Sequence, residues 1–88
     1  MAALSTERVV GQNNRRMAPG YGARILQARL EATKDRPELA KLVGIHPDTL
    51  ARYEREATAP SDEILIKLAR VLRANARWLY SGEGDPRK

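Results

Sequence analysis

The segment that most constrains this chain is DRPELAKLVGIHPDTLARYE, residues 35–54, because it predicts two short helices on either side of a glycine. Four apolar residues precede that glycine and form the predicted apolar face of the first helix: Leu39, Ala40, Leu42 and Val43. Gly44 can adopt a positive φ at no steric cost, which ends a helix sharply. Pro47 then suits the first turn of a second helix, where a missing N–H costs nothing. Leu50 and Tyr53 lie three residues apart, and we expect them to face the first helix.

Two short helices joined by a glycine turn form a helix-turn-helix, a unit that places its second helix in the major groove of DNA. Sequence-specific DNA binding is therefore the leading hypothesis. The whole chain carries a net charge of +5, which suits a polyanionic partner. Residues 46–60, however, hold three acidic residues against two basic ones, so the segment expected to meet DNA is the least basic.

Composition excludes several other classes of protein. With 88 residues and no cysteine, the chain predicts one domain without disulfides or thiolate metal ligands. Its single histidine, His46, cannot form a metal site alone. No apolar run approaches the roughly 18 residues of a membrane span, and the N-terminus lacks the apolar core of a signal peptide. We expect a cytoplasmic, nucleoid-associated protein without metal or cofactor, and not an enzyme.

The rest of the chain predicts three more helices. From Tyr21 to Thr33, apolar residues recur at spacings of four, three and four. Ser61 is a good N-cap for a helix with a wide apolar stripe, and Asn75 is one for a short helix that ends at Ser81–Gly82. The predicted fold class is therefore all-α, a bundle of five short helices.

Three regions divide the chain. Residues 1–19 show no clean period and include an Arg pair, so they predict a flexible basic arm that either contacts DNA or is a disordered leader. Residues 20–84 form the predicted helix-turn-helix domain, and residues 85–88 form a polar tail.

Five sequence motifs occur in order along this domain. They are ILQAR at 25–29, PELAKLVGI at 37–45, TLARYE at 49–54, APSDEILIKLARVL at 59–72 and WLYSGEG at 78–84. Together they resemble the phage repressor and Cro family, the lambda-repressor-like DNA-binding domains. The resemblance implies a five-helix bundle. It also implies a transcriptional regulator of the phage or prophage repressor or Cro kind, which binds inverted repeats as a dimer.

The resemblance also implies a buried ion pair between Arg29 and Glu54, which would fix the angle between the first and third helices. Two departures from the family pattern are informative. Asp35, which is predicted to be the N-cap of the first helix of the motif, and Arg36 stand where the family commonly has Ser or Thr followed by Gln, both of which contact the phosphate backbone. Glu56 stands where the family usually has a glycine.

The exposed side of the second helix of the motif holds four candidate base-reading residues. Arg52, at the family's base-reading position, can hold guanine O6 and N7, although it could also be a solvated arginine. Thr49 can hydrogen-bond a base or contact a thymine methyl. Asp48 can accept from cytosine N4, but we favour a first-turn acid that stabilises the helix dipole. His46 is open between base reader and N-cap or phosphate-side residue, and Pro47 replaces a polar reader of the family.

Phosphate contacts, which give affinity and register without sequence information, are expected from six basic residues: Arg36, Arg55, Lys41, Arg8, Arg15 and Arg16. Trp78 is predicted to lie in the core, whereas Tyr80 is the better candidate for a homodimer contact. The expected partners are double-stranded DNA and a second copy of the chain, with no membrane or small-molecule ligand. The alternative is a helix-turn-helix bundle used for protein interaction, which the acidic balance of residues 46–60 supports.

Overall fold

The computed structural model describes residues 17–87, and within them the chain forms five helices and no strand. The helices are α1 (Tyr21–Glu31), α2 (Arg36–Val43), α3 (Pro47–Glu54), α4 (Asp62–Leu72) and α5 (Ala76–Ser81). The prediction of an all-α, five-helix bundle is confirmed. No helix in this range is long and apolar enough to cross a membrane.

Three predicted N-caps and two predicted C-terminal glycines are also confirmed, whereas α1 ends at Glu31 and not at Thr33. Asp35, Ser61 and Asn75 each cap a helix, because each side chain accepts a hydrogen bond of 2.9 to 3.3 Å from a first-turn backbone N–H. Gly44 ends α2 with a φ of 88°, and Gly82 ends α5 with a φ of 79°. These caps satisfy backbone groups that a helix cannot pair internally.

The core forms where all five helices meet. It includes residues from every helix, with Ile25, Leu39, Leu50, Leu68 and Leu79 each fully buried. Trp78 is buried as predicted.

The prediction that Leu42 lies on the apolar face of α2 is wrong, because Leu42 is 55% exposed and does not share the buried face of this helix. Leu39, Ala40 and Val43 are buried on that face. A helix turns by about 100° per residue, and this rotation carries position 42 past the edge of the apolar face toward solvent.

The segment before α1 packs on the bundle, so the described domain begins earlier than the predicted boundary at residue 20. Met17 is buried, and the Ala18 N–H donates to the Tyr80 carbonyl at 2.8 Å. Arg24 donates to the carbonyls of Ala18, Pro19 and Leu79 at 2.9 to 3.1 Å. Burial lowers the pKa of this guanidinium, and the nearby Glu56 carboxylate opposes that shift. One arginine thus ties the incoming chain to the end of α5.

The predicted polar tail packs on the bundle as well. The Pro86 carbonyl accepts a 2.7 Å hydrogen bond from the Asn75 N–H. Arg87 donates to the Leu72 carbonyl at 2.7 Å and lies 3.1 Å from the Glu31 carboxylate. Arg87 thereby satisfies backbone carbonyls that α4 leaves free at its C-terminus.

Candidate nucleic-acid interface

In the α2–turn–α3 segment, the second helix packs against the core with its inner side. The left-handed conformation of Gly44 reverses the chain, and Ile45 packs against the core beside the turn. Leu50 and Tyr53 are both buried on the inner face of α3. Burial raises the pKa of the Tyr53 hydroxyl, so this side chain stays neutral near pH 7. The opposite face of α3 is left to solvent.

The last residue of α3, Glu54, forms an ion pair with Arg29 of α1. Arg29 Nε lies 2.7 Å from Glu54 Oε2, and Arg29 Nη2 lies 3.3 Å from Glu54 Oε1. The two side chains are 9% and 5% exposed, respectively. Arg29 Nη1 also donates to the Lys34 carbonyl at 3.2 Å. This bidentate pair, which the family resemblance implies, fixes α3 against α1.

Arg36 joins the same carboxylate, a contact that sequence reasoning did not find. Its Nε and Nη2 atoms donate to Glu54 Oε1 at 3.2 and 3.1 Å. Its side chain is 44% exposed, so part of the guanidinium is still open to solvent. Arg36 was predicted only as a phosphate contact. The structure places it at the first position of α2, with its charge partly neutralised by α3.

Glu56 replaces the family glycine and links the end of α3 to the start of α1. Its φ is 63°, in the left-handed region that glycine usually occupies. Its carboxylate accepts a 2.9 Å hydrogen bond from the Gly22 N–H. A Cβ atom on Gly22 would lie 2.8 Å from the Glu54 carbonyl carbon, and closer still to its oxygen, so the two helices meet where only glycine fits.

Tyr21 adds a second link at the start of α1. Its hydroxyl donates to the Thr58 carbonyl at 2.9 Å, which ties the loop after α3 to α1. Burial raises the pKa of Tyr21, and the charge of Glu56 raises it further.

The acidic balance of residues 46–60 is explained by where the carboxylates lie. Glu54 forms ion pairs with two arginines, and Glu56 accepts a hydrogen bond from the Gly22 N–H. Arg52 and Arg55 are exposed, and neither side chain has a hydrogen bond or ion pair within residues 17–87. Of the three acids only Asp48, 84% exposed, is left on the outer surface of α3 beside these cations. The outer face is therefore more basic than the segment's composition indicates.

His46 and Asp48 lie together at the N-terminus of α3. His46 Nδ1 accepts a 3.0 Å hydrogen bond from the Asp48 N–H, so His46 is the N-cap of the helix. Accepting through Nδ1 leaves the proton of a neutral imidazole on Nε2. Of the roles that the sequence left open for His46, the structure places it in the capping one. Thr49, the residue after Asp48, is half-buried.

The other predicted site residues fall in separate places. Lys41 is exposed in the last turn of α2. Arg8, Arg15 and Arg16 lie outside the described residues. Tyr80 is half-buried beside an apolar groove of about 380 Å³ between α4 and α5, which is lined by Asp62, Leu65, Ile66, Ala76, Arg77 and Tyr80. Among residues 17–87, no group of three or more His, Cys, Asp or Glu side chains could hold a metal ion.

The chain is similar to known proteins in sequence and in fold. A family model described as helix-turn-helix matches residues 25–79. A similar solved structure is the N-terminal DNA binding domain of SinR from Bacillus subtilis, with 33% sequence identity and a TM-score of 0.64. The match covers 68% of this chain and 88% of that one. No curated protein matches the chain. The family match spans all five described helices except the ends of α1 and α5, and the chain therefore belongs to the Cro/C1-type helix-turn-helix family.

Proposed function

We propose that this protein is a sequence-specific double-stranded DNA-binding transcriptional regulator that reads the major groove with α3. The observation that carries the proposal is the anchoring of α3. Its inner side chains and Glu54 are all engaged by the bundle, while Arg52 and Arg55 on its outer side are exposed and unpaired within residues 17–87. A helix fixed in this way can present the same side chains to each DNA site. The similarity to a solved DNA binding domain supports the same conclusion.

Base reading is assigned first to Arg52, because a guanidinium can donate two hydrogen bonds to guanine O6 and N7. Thr49 is the second reader, through its hydroxyl or its methyl group. Asp48 and His46 remain at the edge of the surface, where His46 has a capping role already. Arg55 is placed to contact a phosphate.

Further phosphate contacts are proposed for Arg36 and Lys41 on α2. Outside the described residues, Arg8, Arg15 and Arg16 would add others. Such contacts supply affinity and register, and they make binding dependent on salt.

We further propose that the protein binds inverted repeats as a homodimer through the groove beside Tyr80. Ile66 in this groove is 51% exposed, although it is a large apolar side chain. A two-fold interface uses the same surface patch of both copies, so the apolar groove of one copy would face that of the other. Dimers of this kind place their reading helices about 34–36 Å apart, one turn of DNA.

The resemblance to phage repressors and Cro supports a role as a regulator of that type, acting on DNA in the cytoplasm. Selection of duplexes from a random-sequence pool tests the whole proposal. We expect enrichment of an inverted repeat whose half-sites are centred about one DNA turn apart. A protein that enriches no sequence, and that shifts no random duplex at low salt, would instead be an interaction module.

A further inference from the structure

The guanidinium of Arg36 has two edges that can each hold an anion, and the bundle uses one of them. Nε and Nη2 both donate to Glu54 Oε1. The second edge, formed by Nη1 and the outer hydrogen of Nη2, has no acceptor within residues 17–87. An arginine carries five N–H donors in a fixed plane, so both edges can be filled at once.

The carboxylate on the first edge connects three helices. Glu54 ends α3, and Arg29 of α1 holds it with an Nε–Oε2 distance of 2.7 Å. Arg36 begins α2 and donates to the other oxygen of the same carboxylate. An anion bound by the free edge of Arg36 is therefore connected to the helix proposed to read DNA. The connection consists of its own hydrogen bonds to Arg36 and those from Arg36 to Glu54.

We propose, on the basis of the proposed DNA-binding function, that Arg36 bridges Glu54 to a phosphate of the DNA backbone and thereby positions α3 in the groove. Two phosphate oxygens match one edge of a guanidinium, as two carboxylate oxygens do. An ordinary phosphate contact adds affinity equally for all sequences. The Arg36 contact differs because it is attached to the end of the reading helix, so its loss changes both affinity and sequence preference.

A lysine at position 36 tests the effect of the bridge separately from the effect of the positive charge. Its ammonium group keeps the positive charge but is a compact donor without two flat edges, so it cannot hold a carboxylate and a phosphate side by side in the same geometry. Arg36→Lys therefore removes the bridge while the number of charges near the phosphates is unchanged.

The matched control is Arg87→Lys. Arg87 is 39% exposed and lies 3.1 Å from Glu31, close to the 44% exposure of Arg36 and its 3.1 Å distance from Glu54. It packs against the end of α4 and has no place in the proposed DNA surface. This variant reports what an arginine-to-lysine change in a half-exposed ion pair does to the fold alone.

The experiment uses the full chain and two duplexes of equal length, one recovered from a random pool by the wild type and one with that sequence scrambled. Dissociation constants are measured over a series of NaCl concentrations, after circular dichroism has shown each variant to be folded. We expect Arg36→Lys to bind the selected duplex about tenfold more weakly, the loss of a charged hydrogen-bond pair. Binding of the scrambled duplex should weaken by a smaller factor, so that the ratio of the two dissociation constants falls. The slope of log affinity against log NaCl concentration should be unchanged, because the number of charges is the same. Arg87→Lys should bind both duplexes as the wild type does.

Two results would overturn the bridge while leaving the proposed function intact. One is an Arg36→Lys variant that binds both duplexes like Arg87→Lys. The other is an equal loss on both duplexes, which describes a plain phosphate contact. A wild type that enriches no sequence would instead overturn the proposed function, and the bridge with it.

A second variant tests the connection through the carboxylate. In a Glu54→Gln background the bridge is already weakened, so Arg36→Lys should change binding of the selected duplex by much less than tenfold. An undiminished effect would show that Glu54 is not involved. If Glu54→Gln does not fold, the comparison of the two duplexes with Arg36→Lys decides the question.

Discussion

The amide of Gly22 donates a 2.9 Å hydrogen bond to the carboxylate of Glu56, so the second residue after α3 caps the start of α1. The N-cap of α1 is Gly20, which has no side chain to accept this hydrogen bond. A carboxylate at this place satisfies one of the free first-turn N–H groups and interacts favourably with the helix dipole. The beginning of α1 and the end of the proposed reading helix are thus fixed to each other.

Gly22→Ala tests how closely these helices approach. An alanine would normally stabilise a helix relative to glycine, by about 1 kcal/mol. Here its Cβ would lie 2.8 Å from the Glu54 carbonyl carbon, and backbone atoms cannot move aside as a side chain can. We expect the free energy of unfolding to fall by about 1–3 kcal/mol, the usual cost of overpacking, as measured by urea denaturation.

Gly44→Ala is the comparison for that variant. Gly44 has a φ of +88°, but a Cβ atom added there would have no other residue's atoms within 4 Å beyond its chain neighbours. Only the left-handed backbone conformation would therefore be strained. We expect a loss of about 1–2 kcal/mol without a steric clash. A stabilised Gly22→Ala variant would contradict the close contact between α1 and α3.

Substitutions at Glu56 separate its cap from its backbone strain. Glu56→Ala keeps a side chain at a φ of 63° but removes the acceptor for Gly22, so it should destabilise the protein by about 1 kcal/mol, as loss of other helix caps does. Glu56→Gly loses the same cap but relieves the backbone, and it should be the more stable of the two. Thermal melts of the two variants give the order. An alanine variant as stable as the wild type would mean that the cap contributes nothing.

The Arg29–Glu54 pair should contribute far more than the surface ion pairs. Glu54→Ala leaves the buried Arg29 guanidinium without its main acceptor, and we expect a loss of about 3–5 kcal/mol. Arg36→Ala removes a half-exposed partner and should cost about 1 kcal/mol or less. Urea melts of Arg29→Ala, Glu54→Ala and the double mutant give the coupling energy. Single variants that both unfold like the wild type would show that the pair does not hold the helices.

Local features of the fold could be predicted from sequence, because a cap lies within a few residues of the groups it satisfies. Asp35, Ser61 and Asn75 belong to this class. The bond between Gly22 and Glu56 joins residues 34 positions apart, and nothing in helical periodicity brings them together. A glycine in the first turn of α1 was the one available signal, and it indicates close approach without naming the neighbour.

Charge was the least reliable guide to the candidate site. A count of charged residues gives Glu54 and Arg52 equal weight, so that their charges cancel. In the structure, Glu54 lies against two arginines in the bundle, whereas Arg52 is exposed. The same limitation affected the polar tail, since Arg87 counts as solvated charge in the sequence but donates to the end of α4 in the fold. Composition gives the number of charges, whereas the partners of each charge depend on tertiary packing.

Arg52→Ala tests the reading of bases. On the selected duplex we expect the binding free energy to weaken by about 1–3 kcal/mol and the preference at one base pair to relax. Because Arg52 has no partner within residues 17–87, its removal should leave the melting temperature nearly unchanged. Binding to the selected duplex and its single-base variants is measured by fluorescence anisotropy. Equal losses on all duplexes would identify Arg52 as a phosphate contact.

Ile66→Glu tests the proposed dimer surface, because it places a charge in the apolar groove between α4 and α5. Leu42→Glu is the matched control, since Leu42 is 55% exposed against 51% for Ile66 and does not line the groove. In sedimentation velocity we expect dimers of the wild type and of Leu42→Glu, and monomers of Ile66→Glu. The bundle should stay folded in both variants, because each new charge replaces a side chain that is already half in water. A wild type that is monomeric at all concentrations, or an Ile66→Glu variant that still dimerises, would remove this groove as the interface.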